Sequence, residues 1–259
     1  MAIFSCYVDV ERFLGEPVKE LAQFLCCLRR GRRAKVIETL AELIKEADHI
    51  RKFKEIESQG KKLFYNLLPE DEVEILWKLI VRFYLKPSEN SSGKRIPQDD
   101  LIALRKGRLF EEIVFRLGPV KKWKVDLVSM HCQPMINRER IKIKCRKLEL
   151  SGKNLDVVFW GKDYVEGYEC KSNVAFYISL GKGHSEKARK VRDKLKYMNQ
   201  LTKELRKHIR EVHINLASFV PDVNWEKNLD LLRNWLADCG DSKIHFNLIT
   251  IKDFLKHVD

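Results

Sequence analysis

The chain has 259 residues, 44% of them hydrophobic, which is room for one large domain or two modest ones with an ample core. It carries 50 Lys and Arg against 37 Asp and Glu, a net charge of +13, and the excess is concentrated: residues 1–100 hold 18 basic and 17 acidic side chains, which leaves 32 against 20 for residues 101–259. Such a surplus excludes an acidic surface and suits a polyanionic partner, nucleic acid above all, while seven scattered cysteines, a start without a leader pattern and the lack of a run of about 18 apolar residues predict a soluble, reducing, cytoplasmic setting with no membrane association.

From Pro17 to Leu85 the apolar spacing is three and four throughout, and residues 1 to 85 are predicted to be helical. One stripe is Val18, Leu21, Ala22, Leu25 and Leu28, ending in the basic cluster Arg29–Arg33. It resumes as Ile37, Leu40, Ile44, Ala47 and Ile50 and stops near Gln59-Gly60. A further helix starts after Pro69, with acids in its first turn where the helix dipole favours them, and buries Val73, Leu76, Ile80 and Phe83. Residues 86–97, KPSENSSGKRIP, combine Pro, Ser, Asn and Gly with no apolar run. They read as a linker, so an all-helical domain is expected over 1–97 and a second domain over 98–259.

The second domain opens with a helix over 98–117, its inner side formed by Ile102, Leu109, Ile113 and Leu117. Residues 122–133 and 138–150 read as strands, the latter alternating Ile141, Ile143 and Cys145 with basic residues. A turn at Ser151–Asn154 leads to LDVVFWGKDYVEGYECK, residues 155–171, two short strands joined at Gly161-Lys162-Asp163. Side chains alternate faces along a strand, so Glu169 and Lys171 point the same way and Cys170 the other. Pairing across the turn brings Asp156 alongside them. Two converging carboxylates form a hard-oxygen site suited to Mg²⁺, and a lysine beside it can orient or deprotonate an attacking water.

Past Lys171, Ser185 is predicted to cap the longest helix, 185–210, with Val191, Leu195, Met198, Leu205 and Ile209 inside and ten Lys or Arg against three acids overall. Its outer face, with Lys187, Lys190 and Lys194, and Lys182 just before it, is the expected phosphate-contacting surface. A strand over 212–220, a helix over 225–237, a strand over 243–251 and a short terminal helix complete a mixed sheet flanked by helices.

Asp156, then Glu169-Cys170-Lys171 on the next strand, with a helix and a strand or hairpin before them, resembles the PD-(D/E)XK nuclease superfamily in motif and in element order; Leu155 stands where the family name has proline. The resemblance covers about the last 160 residues and implies a restriction-endonuclease-like α/β fold. In that family the first core helix often adds a metal ligand in a G-x-x-x-E pattern, which Gly107 and Glu111, followed by Val114, match better than Glu112 does. The implied function is a metal-dependent nuclease, more an endonuclease than an exonuclease. Asp156, Glu169 and Glu111 would bind Mg²⁺, with Mn²⁺ able to substitute, and Lys171 would act on the water. The substrate would be nucleic acid, DNA before RNA, in a defence, mobile-element or repair setting. The helical N-terminal domain is left to pair with a second copy or a partner protein. The competing reading is a catalytically silent nucleic-acid-binding module on the same fold. A zinc site from His131, Cys132, Cys145, Cys239 and His245 matches no usual ligand spacing.

Overall fold

The spacing of apolar residues between 17 and 85 builds four helices in the computed structural model, which describes residues 3–8, 16–47, 49–89 and 93–258. They are α1 (Glu16–Cys27), α2 (Arg30–Glu46), α3 (Ile50–Gly60) and α4 (Glu70–Leu85), and α5 (Gln98–Leu117) follows. The expected inner residues are buried, apart from the partly buried Leu28 and Ile50. The stripe from Ile37 to Ile50 is not one helix. It breaks at Ala47, whose carbonyl receives the Tyr84 hydroxyl at 3.0 Å and the Lys106 ammonium at 2.9 Å, so the interrupted backbone keeps its hydrogen bonds.

Two compact units result, and their boundary differs from the expected one. The helical unit covers the described residues between Glu16 and Leu117 and also takes residues 219–221 and the C-terminal α9 (Ile251–Val258). The 86–97 stretch expected as a linker therefore lies inside it, with residues 90–92 outside the described part. Arg105 of α5 is the reason. Its buried guanidinium donates to the Phe83 carbonyl at 2.6 Å and the Lys86 carbonyl at 2.7 Å, tying α5 to the end of α4. Burial lowers its pKa to about 10, which leaves the charge in place at neutral pH.

The other unit contains a mixed sheet, and its first strand lies in the region predicted to be helical. β1 (Phe4–Val8) pairs antiparallel with β2 (Leu127–Ile136), because five residues of strand propensity find an open edge far along the chain. The expected strand over 138–150 is broken into β3 (Glu139–Arg140), β4 (Lys144–Cys145) and β5 (Leu148–Glu149). Asn137 and Arg138 both have positive φ and form a two-residue turn between β2 and β3, and Arg146, also at positive φ, reverses the chain between β4 and β5.

β6 (Leu155–Gly161) and β7 (Tyr164–Lys171) follow β2 as an antiparallel meander. The chain then crosses through α6 (Val174–Leu180) and α7 (Glu186–Leu205) to β8 (Glu211–Ser218), parallel to β7. After α8 (Glu226–Ala237), β9 (Asn247–Thr250) lies parallel to β8 and is shorter than expected. The sheet order is β1-β2-β6-β7-β8-β9, with β3 on β2. The chain is thus α/β, with a mixed sheet and a run of helices between its first two strands. Leu155, Val158, Val165, Ile214 and Leu216 from the sheet share a core with Ile178, Leu195, Met198, Leu201 and Leu232 from the crossover helices. Ser185 caps α7, its hydroxyl accepting from the Ala188 N–H at 3.1 Å.

The cysteines do not all stay free as expected. Cys6–Cys132 bridges β1 to β2, and Cys145–Cys239 ties β4 to the end of α8. Only Cys26, Cys27 and Cys170 remain as thiols, so a reducing compartment no longer follows from the cysteine pattern. Among the described residues no helix is long and apolar enough to cross a membrane.

Candidate active site

The last paired residues of β6 and β7 at this end are Val157 and Tyr168, and Asp156 and Glu169 are the next on each strand. Asp156 Oδ2 accepts the Cys170 N–H at 2.7 Å, which fixes the carboxylate against the neighbouring strand. Lys171 Nζ stands 2.6 Å from Glu169 Oε1 and 3.5 Å from Asp156 Oδ2. The structure therefore brings Asp156, Glu169 and Lys171 together, with one ammonium between two carboxylates.

Two side chains from the crossover helices complete the group. Tyr177 of α6 places its ring 5.2 Å from Lys171 Nζ. Lys194 of α7 puts Nζ 2.6 Å from Glu169 Oε2 and also donates to the Asn154 carbonyl. Lys194 thus does not stand on the outer face with the other expected phosphate contacts: its side chain is only 14% exposed and closes on a carboxylate that is 5% exposed. The signal was present in the spacing, since residue 194 falls three after Val191 and four before Met198, on the inner stripe. Lys182, Lys187 and Lys190 are exposed, and Lys190 pairs with Glu186 at 2.8 Å.

The electrostatics follow from this crowding. Burial pulls the Lys171 ammonium down, but the Asp156 and Glu169 charges outweigh it and hold its pKa well above the ordinary lysine value. Burial, with the Glu169 charge nearby, pushes the Tyr177 and Tyr197 phenols up, so both stay neutral. Lys153, in the turn before β6, is lowered by burial, with Asp193 opposing the shift and Lys194 and Arg189 adding to it. Tyr177 and Lys153 carry no motif and were not singled out from sequence.

Glu111 belongs to α5 in the helical unit, where its carboxylate takes Arg108 Nη1 at 2.9 Å. Glu112 is more buried and pairs with Arg108 and Arg116. Among the described residues no group of three or more His, Cys, Asp or Glu is gathered to hold a metal ion. Asp156 and Glu169 stand together beside Lys171. Glu169 Oε2 is buried and, although Lys194 Nζ is close, no donor meets it with hydrogen-bond geometry. A buried carboxylate oxygen without a directed donor, next to a second carboxylate, fits Mg²⁺, which is commonly held by one or two carboxylates with water and substrate phosphate filling the rest of its shell. The zinc alternative loses its three cysteine ligands, because Cys132, Cys145 and Cys239 are all in disulfides.

A second buried carboxylate, Glu166 on the opposite parity of β7, accepts from the Tyr164 and Tyr168 hydroxyls and from the Val120 N–H. Fully satisfied in this way, it is a packing element.

Comparison of the chain with protein-family models, with curated proteins and with solved structures returned no match.

Proposed function

We propose that the chain is a Mg²⁺-dependent nuclease of the PD-(D/E)XK type that hydrolyses phosphodiester bonds of nucleic acid, DNA before RNA, and cuts internally. The observation that carries this reading is the grouping of Asp156, Glu169 and Lys171 at one end of β6 and β7. The meander β2-β6-β7 followed by a helical crossover to a parallel β8 supports it, since that is the element order the family's core needs.

Asp156 and Glu169 would hold the ion, which when bound supplies Lewis-acid polarisation of the scissile phosphate and offsets its negative charge. Lys171 is an ammonium in the free protein and so first acts as a donor, steadying the attacking water or a phosphate oxygen. Its pKa falls as the charge of Asp156 and Glu169 is taken up, which brings it closer to use as a base. Lys194 limits how far Glu169 can swing, and Tyr177 keeps one side of the ammonium dry. The cytoplasmic location that goes with this reading has to accommodate two disulfides, which persist inside cells chiefly in hyperthermophiles.

One observation favours the second reading, a silent nucleic-acid-binding module: Lys171 and Lys194 already balance the charge of Asp156 and Glu169. Incubation with supercoiled, linear and single-stranded DNA and with RNA, in Mg²⁺, Mn²⁺ or EDTA, separates the two. The nuclease reading expects cutting that needs the metal and disappears in Asp156→Ala and Glu169→Ala while binding persists. Cutting by these variants equal to the parent, or binding without cutting under every condition, overturns it.

A further inference from the structure

Asp156 lies at one end of β6, and the Lys162-Asp163 turn lies at the other, six residues or roughly 20 Å along the strand. Beside that turn the chain presents a tryptophan to solvent: Trp123, within Lys121-Lys122-Trp123-Lys124, is 81% exposed. The loop that carries it is tied down at several points. Lys121 Nζ and Lys124 Nζ both bind Glu211, the former at 3.0 Å, and these two bonds lower the Glu211 pKa to about 2. The Asp126 N–H donates to the Trp160 carbonyl at 3.0 Å. The Lys124 carbonyl packs so closely on Gly161 that a Cβ there would lie 2.1 Å from its oxygen, so only glycine lets the loop close on β6. Lys124 Nζ stands 4.7 Å from the centre of the indole and braces it from one side.

Next to the indole is an open cleft of about 400 Å³ whose lining includes Lys162, Tyr164 and Arg210 together with Asp126 and Asp163. Lys122, Lys162 and Arg210 are exposed and have no ion-pair partner among the described residues. A fixed, solvent-facing aromatic ring with spare cations around it matches a ligand that carries a flat π-system and negative charge in the same unit. A nucleotide is such a ligand, and its base is accessible for stacking only when it is unpaired. We propose that this cleft binds an unpaired nucleotide of single-stranded nucleic acid, its base stacked on Trp123 and its flanking phosphates on Lys122, Lys162 and Arg210. The proposal stands independently of the nuclease reading.

The test measures binding of a labelled dT12 strand, a 12-base-pair duplex and thymidine monophosphate to the whole protein in EDTA, with tryptophan emission followed in parallel. Stacking on one base is worth roughly 5- to 150-fold in affinity. Trp123→Ala should weaken dT12 binding by about tenfold or more and leave the duplex unaffected. Trp123→Phe should stay within about threefold of the parent and lose the quenching of emission, because phenylalanine stacks without reporting. Arg210→Gln and Lys122→Gln should each reduce the salt slope for dT12 by about 0.7. A parent that does not bind dT12, a Trp123→Ala variant that binds it as well as the parent or loses duplex binding equally, or thymidine monophosphate binding as tightly as dT12 would each overturn the proposal. Cleavage by the parent and by Asp156→Ala, measured alongside, keeps the readings apart: strand binding through Trp123 without cutting removes the nuclease and leaves this site.

Discussion

Lys194 Nζ lies 2.6 Å from Glu169 Oε2, so a lysine from the crossover helix closes the side of the carboxylate that Lys171 leaves open. Glu169 is clamped between two ammoniums in a place where water has little access. Removing one of them leaves a buried charge half-compensated, and Lys194→Met is expected to lower stability in EDTA by about 1–3 kcal/mol. Mg²⁺ should narrow the difference from the parent, since a cation can take up the charge that the lysine balanced. Urea unfolding of parent and variant, with and without Mg²⁺, measures both effects.

The raised pKa of Lys171 has a pH consequence whose sign is fixed. A lysine held above its ordinary value of 10.5 contributes stability that is fully present below that value and is lost as the pH rises through the folded-state pKa. Glu169→Gln removes one of the two charges that raise it, so the Lys171 titration should move down. NMR titration of the lysine side-chain signals, with Lys171→Arg to identify the resonance, checks the shift. An unchanged titration would mean that the two carboxylates do not govern this ammonium.

At the acid end two partly buried clusters act in the opposite sense. Glu211 is lowered from 4.5 to about 2 by Lys124 and Lys121, and Asp241 is lowered by its bonds with Lys203, His245 and the Lys243 N–H. Groups depressed in this way contribute stability that is present above their unfolded pKa values and is lost as the pH falls toward the folded ones. The urea midpoint is expected to fall between pH 4.5 and 2, and Glu211→Gln should flatten part of that fall. Circular dichroism across the window is sufficient.

Thiol counting tests the covalent framework directly. In denaturant without reductant, Cys26, Cys27 and Cys170 should react, and all seven cysteines only after reduction. In the native protein the exposed Cys27 should react first, while burial pushes the Cys26 thiol up to about 12 and slows it. The bridges close spans of 126 and 94 residues, so opening either is expected to cost about 2–4 kcal/mol.

Short-range pattern was enough to place several parts of this molecule. The spacing of Val18, Leu21 and Leu25, of Val73, Leu76 and Ile80, and of Val191, Leu195 and Met198 determines helices and their inner faces, because a helix repeats every 3.6 residues whatever it packs against. The alternation around Gly161-Lys162-Asp163 likewise determines two adjacent strands, with Asp156 at the start of one and Glu169 and Lys171 at the end of the next. Other features depend on partners distant in sequence. Phe4–Val8 is a strand because β2 offers it an edge more than a hundred residues away, and 86–97 is not a boundary because Arg105 ties α5 to α4. Cys6 and Cys132 become a disulfide only once β1 and β2 are paired, a proximity that spacing along the chain does not encode. Lys194 is the clearest division between the two kinds of information. Helical period sets the direction in which it points, but that it ends on a buried carboxylate rather than in solvent was decided by the packing of α7 on the sheet, where desolvation makes the ion pair the more favourable place for both charges.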